Sequence, residues 1–219
     1  MKQLLQGARA LLVRTGRGMA YAGYVISHPI RGFYEMRFEG KGSMPGCIAL
    51  LALVCLAYVE SILLGGPAFV QVNIRTFNLL MALAAVLIPF FLWCGANWSI
   101  TALMDGEGKF SHIFMASCYA LTPYLITTVL WILLSNVLTQ SDSSFLSMIQ
   151  TVGLVISFFL FFTGMVTVHQ FTVKKAIGAL ILTVAFMAFI AFLSTLFLNV
   201  FNRLIQFIAG LVTELRLRM

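Results

Sequence analysis

Residues 79–104 read LLMALAAVLIPFFLWCGANWSITALM, and this stretch decides the fold. It contains no acidic or basic side chain, and it is longer than the roughly 20 residues a helix needs to cross a hydrocarbon core about 30 Å thick. A lipid interior offers no partners to backbone N–H and C=O groups, so such an apolar run is stable there as a helix. The stretch therefore predicts a transmembrane helix.

Four further stretches have the same apolar character. The only acidic, basic or histidine side chains in these four stretches are those of Glu60 and His169. The connections are too short for a soluble domain. The sequence therefore predicts an all-α, polytopic transmembrane helical bundle over residues 45–199. We expect about five spans, at residues 45–64, 79–104, 113–138, 147–169 and 176–199.

The composition excludes an ordinary soluble domain. Of the 219 residues, 61% are hydrophobic and 10% are charged, whereas soluble domains average about 45–50% and about 25%. The net charge is +7, and seven of the fourteen Lys and Arg residues lie before residue 42. A basic segment directly before a span is typical of a topology signal and of contact with anionic lipid heads. We therefore expect membrane lipids as partners and no nucleic acid.

The distribution of Lys and Arg predicts the orientation. With the N-terminus inside, the inner segments hold ten of these residues and the outer segments hold four, three of them being Arg203, Arg216 and Arg218 in the C-terminal tail. Cytoplasmic loops are enriched in Lys and Arg. We therefore expect a multi-pass protein of the cell membrane with its N-terminus in the cytoplasm and its C-terminus outside.

Both ends of the chain are predicted to lie along the membrane surface. In the segment 1–44, the apolar and basic side chains of residues 1–14 fall on opposite helix faces, which indicates an interfacial helix that Gly16 and Gly18 should end. Residues 19–44 mix aromatic and charged side chains, which suits the headgroup zone. Residues 200–219 predict a second interfacial helix. A partner-binding role for the first helix stays open.

Glu60 is the one acidic side chain inside a predicted span. Intramembrane carboxylates are functional candidates, but Glu60 lies near the outer end of its span, where it could contact headgroups or pair with Arg75. His169 ends the fourth span as an interfacial histidine beside Lys174 and Lys175. At about 1.5 Å per residue, Glu60 is about 22 Å from the inner end of its span. We therefore expect no direct pairing of Glu60 with His169.

Prolines interrupt two of the predicted spans. Pro89 and Pro123 each remove a backbone hydrogen bond, which predicts a kink. The polar residues between Asn97 and Tyr124, Tyr119 among them, are compatible with two roles. They could join helices through interhelical hydrogen bonds, or they could line the pathway of a small transporter.

The stretch Asp105-Gly106-Glu107-Gly108 joins the second and third spans and predicts a tight turn that a partner could bind. It lacks the spacing of a P-loop and the ligand pattern of an EF-hand. The chain carries no hydrolase or metalloprotease motif, and its four cysteines lie apart within apolar stretches. We therefore expect no catalytic residue, no metal, no cofactor and no enzymatic activity.

Three stretches together carry a family pattern. They are residues 96–98 (ANW) with 104–110 (MDGEGKF), residues 118–124 (CYALTPY), and the lead-in at residues 28–34 (HPIRGFY). This arrangement resembles the signature of the Yip family, the Ypt/Rab-interacting membrane proteins, in its bacterial branch. The resemblance covers about residues 25–200.

The resemblance implies five spans and a cytoplasmic N-terminus. Eukaryotic members act in vesicle trafficking with Rab-type GTPases. This chain differs from them, because Cys118 stands where they have Gly and the N-terminal region lacks an Asp-Leu-Tyr-Gly-Pro-like motif. A Rab-type GTPase is therefore not an expected partner. Bacterial members resemble accessory membrane proteins, some of them encoded beside ABC-type sugar transporters.

Three functions remain open from the sequence. The first is a scaffold or accessory subunit of a larger membrane complex, the second is a small autonomous transporter or channel, and the third is a membrane-shaping, lipid-binding protein. The candidate partner-binding or functional positions are His28, Pro29, Phe33, Tyr34, Glu60, Asn97, Trp98, Asp105, Gly106, Glu107, Gly108, Tyr119, Pro123 and Tyr124.

Overall fold

The computed structural model describes residues 2–70 and 77–218, and in these ranges it contains helices and no strand. A 3₁₀ turn at Gln140–Asp142 leads into the seventh helix. The helices are α1 (Lys2–Ser27), α2 (Pro29–Phe38), α3 (Met44–Leu63), α4 (Leu79–Leu103), α5 (Phe110–Ala120), α6 (Thr122–Ser135), α7 (Ser143–His169) and α8 (Val173–Arg218).

Five segments of the described chain are long and apolar enough to cross a membrane, which confirms the predicted all-α, five-span fold class. The fourth begins at Gln140 rather than at residue 147. The Asp142 carboxylate accepts hydrogen bonds from the backbone N–H of Thr139 at 3.2 Å and from its hydroxyl at 2.9 Å. This local capping starts the helix before the apolar run begins. The segments are Met44–Leu63, Leu79–Leu103, Phe110–Ser135, Gln140–His169 and Val173–Gly210.

The third span is two helices rather than one. α5 ends at Ala120, and α6 begins at Thr122 with Pro123 in its first turn. Proline is tolerated at that position because the first N–H groups of a helix have no intrahelical partner. The kink expected at Pro123 is thus present as a break at Leu121. α4, by contrast, continues through Pro89.

The prediction that Gly16 and Gly18 end the first helix is wrong, because α1 continues to Ser27. Gly18 instead lies where α1 crosses α3. A Cβ atom on Gly18 would lie 2.8 Å from Cβ of Ser43 and 2.9 Å from Cα of Gly46. Small residues at a crossing let two helix backbones approach closely. The amphipathic pattern predicted for residues 1–14 falls mostly on side chains outside the described part of the chain.

The helix does not break at residue 200, where the fifth span was predicted to give way to an interfacial tail. That boundary stays a prediction. α8 is one helix of 46 residues, about 69 Å long at 1.5 Å per residue. It continues because residues 199–210 contain no proline, and Arg218 pairs with Glu214 one turn earlier at 2.6 Å. The helix is therefore longer than a bilayer core of about 30 Å requires.

The packing brings three elements to one end of the bundle. α7 packs against α5 and α6, α1 packs across α3, and α8 packs mainly on α4. α2 lies against α7, next to the turn between α4 and α5. We call this end, formed by α2, residues 104–109 and the C-terminus of α7, the N-terminal face. It contains most of the candidate positions of the lead-in and turn motifs.

Candidate functional site: the N-terminal face

The turn after α4 has a backbone that two glycines make possible. Asp105 has a left-handed conformation with φ 54°, and the N–H of Gly106 donates to the carbonyl oxygen of Thr101 at 2.8 Å. This is a left-handed helix cap. A Cβ on Gly106 would lie 2.6 Å from Nδ1 of His169, and one on Gly108 would lie 2.7 Å from Cε1 of the same ring. Any side chain at either glycine would therefore clash with His169.

His169 lies beneath this turn. This residue, predicted to lie at the membrane interface, is 2% exposed and is therefore covered by the protein itself. The backbone N–H of Gly108 donates to Nδ1 of His169 at 3.4 Å, and the ring stacks on Phe171 with centroids 5.3 Å apart. An Nδ1 that accepts a hydrogen bond assigns the proton of the neutral ring to Nε2. The ring therefore acts as a support for the turn.

Arg37 joins the three elements of the face. Its Nη1 donates to the carbonyl oxygen of Val168 at 2.5 Å, and its Nη2 donates to Oε2 of Glu107 at 2.9 Å. The Arg37 side chain is 9% exposed, whereas that of Glu107 is 62% exposed. Hydrogen bonds from a guanidinium are stronger than neutral ones and fix orientation. We call the bonds of Arg37 to Val168 and Glu107 the Arg37 clamp.

A second ionic network fixes α2 to the loop that follows it. The buried Glu35 carboxylate accepts from Nζ of Lys41 at 2.8 Å, from Nε of Arg31 at 2.7 Å and from the Tyr24 hydroxyl at 3.3 Å. The hydrogen bond from Lys41 and, secondly, that from Arg31 hold the pKa of Glu35 below its usual value, against the effect of burial. Burial and the charge of Glu35 raise the pKa of Tyr21 to about 12.

The outer side of α2 presents an apolar stripe. Ile30, Tyr34 and Phe38 are spaced four residues apart, so they share one helix face, and they are 70%, 48% and 48% exposed. The rings of Tyr34 and Phe38 are 4.6 Å apart. Phe33 and Met36 point into the core on the opposite side. We call Ile30, Tyr34 and Phe38 the α2 stripe.

The remaining positions of the lead-in and turn motifs surround this face. The His28 ring stacks on Tyr24 at 5.1 Å, and Pro29 is the first residue of α2. Trp98 is half-exposed and meets Phe110 edge to face with centroids 6.3 Å apart. Trp98 and Phe110 therefore form an aromatic contact where the turn joins its two helices.

The polar residues of the spans bond helix to helix. Asn97 is buried and its Nδ2 lies 3.1 Å from Sδ of Met165. The hydroxyl of the fully buried Tyr119 accepts from the backbone N–H of Ser43 at 3.2 Å. The backbone N–H of Tyr124, freed by the break at Pro123, donates to the Ser157 hydroxyl at 3.1 Å. A cavity of about 10 Å³ beside Asn97 has room for about one water molecule.

Glu60 is the candidate that the structure keeps apart from the others. It lies in the last turn of α3, at the opposite end of the bundle from His169, so the two do not form a relay. Glu60 makes no ion pair within the described ranges. Arg75, its predicted partner, lies outside the described residues.

In the described part of the chain, no three His, Cys, Asp or Glu side chains lie close enough together to hold a metal ion. Cys47, Cys55, Cys94 and Cys118 are free and buried. Cys47 is close enough to the carbonyl oxygen of Met115 for a weak S–H hydrogen bond at 3.9 Å.

A match to a family model over most of the chain identifies the family of this protein. The family model for the Yip1 domain matches residues 23–196. The chain belongs to the Yip1-domain family. The matched Yip1 domain begins within α1 and includes the whole N-terminal face, so the Arg37 clamp and the α2 stripe are parts of the domain. Searches of the curated proteins and of the solved structures gave no match.

Three residues of the Yip1 domain's N-terminal face were not predicted as site residues from the sequence. They are Arg37, Glu35 and His169. Arg37 was counted as a topology charge, and His169 was assigned to the interface. One signal was available, since Arg37 lies one turn after Phe33 on a short helix, on the side that turns toward the bundle. The partners of Arg37 and His169 are distant in sequence, and no local pattern reports those contacts. Glu35 instead binds Arg31 and Lys41, which are close to it in the chain.

Proposed function

We propose that this Yip1-domain membrane protein is a non-enzymatic scaffold or accessory subunit, and that another membrane protein binds to its N-terminal face in the cytoplasm. The α2 stripe is the observation that carries the proposal. Ile30, Tyr34 and Phe38 present apolar and aromatic surface on a helix whose other side is fully occupied by the protein's own core. Aromatic residues and arginine are enriched at protein interfaces.

The rigidity of the face favours binding. The Arg37 clamp fixes α2 to the turn and to α7, and the Glu35 network fixes α2 to Lys41. The guanidinium of Arg37 also lies 4.4 Å from the centroid of the Phe38 ring. A surface that is already ordered loses less conformational entropy when a partner binds.

The chemistry of the face suggests the kind of partner. The exposed side chains of Arg31 and Glu107 border the apolar stripe with one charge of each sign. A matching surface would therefore have an apolar centre with a mixed-charge rim. The similarity to bacterial Yip-domain proteins favours a larger membrane complex such as an ABC-type sugar transporter as the partner.

The packing of the spans argues against autonomous transport. A transport pathway would need several polar groups that face one cavity at mid-depth. The side chains of Asn97 and Tyr119 and the backbone N–H of Tyr124 instead contact neighbouring helices, and the cavity beside Asn97 has room for about one water molecule. The larger groove between α4 and α8 is lined almost wholly by apolar side chains.

Affinity purification in mild detergent tests the proposal. The tagged protein, at native expression, is compared with an Ile30→Ser/Tyr34→Ser variant that leaves the Arg37 clamp intact. A control, Leu80→Ser/Met81→Ser, changes two apolar residues at the other end of the bundle that are 76% and 73% exposed. We expect one membrane protein to purify in fixed stoichiometry with the wild type and the control and to be lost from the stripe variant. A partner-free wild type, or a stripe variant that keeps the same partner, would contradict the proposal.

A further inference from the structure

The C-terminal half of α8 is left uncovered by the rest of the chain. Every residue from Ala191 to Gly210 is exposed, so no other element in the described ranges covers any side of the helix there. The helix nevertheless continues through this part without a break. Thr195 and Asn199 each donate to a carbonyl oxygen one turn earlier in α8, at 2.9 Å. We call residues 191–210 the α8 extension.

Apolar side chains follow one side of the α8 extension. Four of them are spaced by four, three and four residues, and this is the spacing at which paired helices form an apolar seam. The four are 69%, 50%, 54% and 52% exposed, and the first two rings stack with centroids 6.1 Å apart. We call these residues the α8 seam: Phe197, Phe201, Leu204 and Ile208.

Polar side chains follow the opposite side of the α8 extension. Asn199, Asn202 and Gln206 are spaced by three and four residues, so they share one helix face. At 3.6 residues per turn, Gln206 is about 160° around the helix from Leu204. The extension is therefore amphipathic, with the α8 seam on its apolar side, whereas a helix surrounded by lipid is apolar all round.

The α8 seam extends farther than the bilayer does. Lys175 marks the headgroup level at the start of α8, because a charged side chain is costly inside the hydrocarbon core. Ile208 is 33 residues farther along, about 50 Å for a straight helix and about 46 Å at the average tilt of about 20°. A bilayer with its headgroups is about 40–45 Å thick. The end of the seam is therefore beyond the cover of lipid.

The straightness of α8 also separates the seam from the membrane surface. A helix that crossed the bilayer and then turned to lie along its surface would need a sharp bend near residue 200. Sharp bends occur at proline, at glycine pairs or at interruptions of the helix. Residues 191–209 contain no proline or glycine, and α8 is uninterrupted there.

We propose that the α8 seam binds the seam of a second copy of this chain, so that two α8 helices pair in parallel. The bilayer holds two copies in the same orientation and at the same depth, so identical residues of the two seams meet at the same height. This is the self-complementary arrangement of a two-fold interface. The seam is at the opposite end of the bundle from the N-terminal face, so the proposal does not depend on the partner proposed there.

Cysteine crosslinking in native membranes tests the pairing. Each residue from Phe201 to Ile208 is replaced in turn by cysteine in the full-length protein, and copper phenanthroline is added to the membranes. The wild type is the background control, because its four cysteines are buried. We expect disulfide-linked dimers to peak in Phe201→Cys, Leu204→Cys and Ile208→Cys and to be lowest in Asn202→Cys and Gln206→Cys. Equal linking around the helix, a maximum on the polar side, or no dimer at any position would overturn the proposal.

Double substitutions then show whether the seam holds the two copies together. Phe201→Ser/Ile208→Ser is added to Leu204→Cys, and Asn202→Ser/Gln206→Ser is the matched control on the opposite side. All four side chains are exposed, so neither change should disturb the fold of one chain. We expect the seam change to lower the dimer fraction to that of Gln206→Cys and the control to leave it unchanged. A dimer fraction that survives the seam change would overturn the proposal.

Discussion

Arg37 on α2 donates a hydrogen bond to the carbonyl oxygen of Val168 on α7, 131 residues later in the chain, at 2.5 Å. The carbonyl is in the last turn of α7, where the final C=O groups have no intrahelical partner. The guanidinium therefore caps one transmembrane helix while it holds the loop between two others through Glu107. A single side chain of the N-terminal segment thus joins three elements at this end of the bundle.

Loss of the Arg37 clamp should destabilise the face. Arg37→Ala removes a hydrogen bond to the carbonyl of Val168, of a kind worth about 1.5–3 kcal/mol, and leaves that carbonyl unpaired. It also removes the ion pair with Glu107, which contributes less because the Glu107 side chain is 62% exposed. We expect a lower midpoint of thermal unfolding in detergent and faster proteolysis within residues 28–44. Arg17→Ala is the control, because Arg17 is exposed and makes no ion pair within the described ranges. Equal effects of the two substitutions would show that the clamp is not structural.

The glycines of the turn should be intolerant of a methyl group. Gly106→Ala and Gly108→Ala would each force a Cβ into the His169 ring, so both variants should unfold at lower temperature. Gly95→Ala, inside α4 with no atom near its added Cβ, should be neutral or stabilising by up to about 1 kcal/mol. His169→Ala should recover part of the loss in Gly108→Ala. A Gly108→Ala protein as stable as Gly95→Ala would refute the packing described.

The Glu35 network should respond to acid. Its pKa is lower in the folded protein than its ordinary value of 4.5, chiefly because Lys41 donates to it. The network therefore contributes stability above pH 4.5 that is lost as the pH falls through the folded-state pKa. Hydrogen-exchange mass spectrometry, corrected for the intrinsic rate, should show residues 29–41 losing protection in that window. In Glu35→Gln that acid-dependent loss should be absent, and an unchanged pH profile in the variant would exclude Glu35 as its cause.

The crossing of α1 and α3 should depend on Gly18 and not on Gly16. Gly18→Leu would place a large side chain against Ser43 and Gly46, whereas no atom lies near a Cβ added to Gly16. We expect exchange protection of residues 13–27 to fall in Gly18→Leu and to persist in Gly16→Leu. Equal protection in both variants would mean that α1 does not pack at this point.

The spans could be predicted from the sequence because each is a local property of an uninterrupted apolar run. Their precise ends could not, since the side chain of Asp142 starts the fourth span early and Pro123 divides the third. Gly18 has the same local sequence signal as a helix-ending glycine. Its actual role depends on Gly46, which lies on another helix.

The turn of the candidate site could be predicted from the sequence, but the residues that pack against the turn could not. The stretch from Asp105 to Gly108 indicated a tight turn directly, but nothing in it indicated the group that packs against its glycines. The contacting group, His169, is more than sixty residues away, and the α2 stripe emerges only once Phe33 and Met36 are known to be buried. Long-range packing decides which side of a short amphipathic helix stays free for a partner.

Site-specific photo-crosslinking in native membranes tests the central claim most directly. A photoreactive amino acid is placed at Tyr34 in the α2 stripe, and in a control protein at Leu80, which is 76% exposed at the other end of the bundle. The account predicts that position 34 crosslinks to one membrane protein in a discrete band that position 80 does not give. Crosslinks from position 34 to lipid alone, or to the same products as position 80, would contradict it.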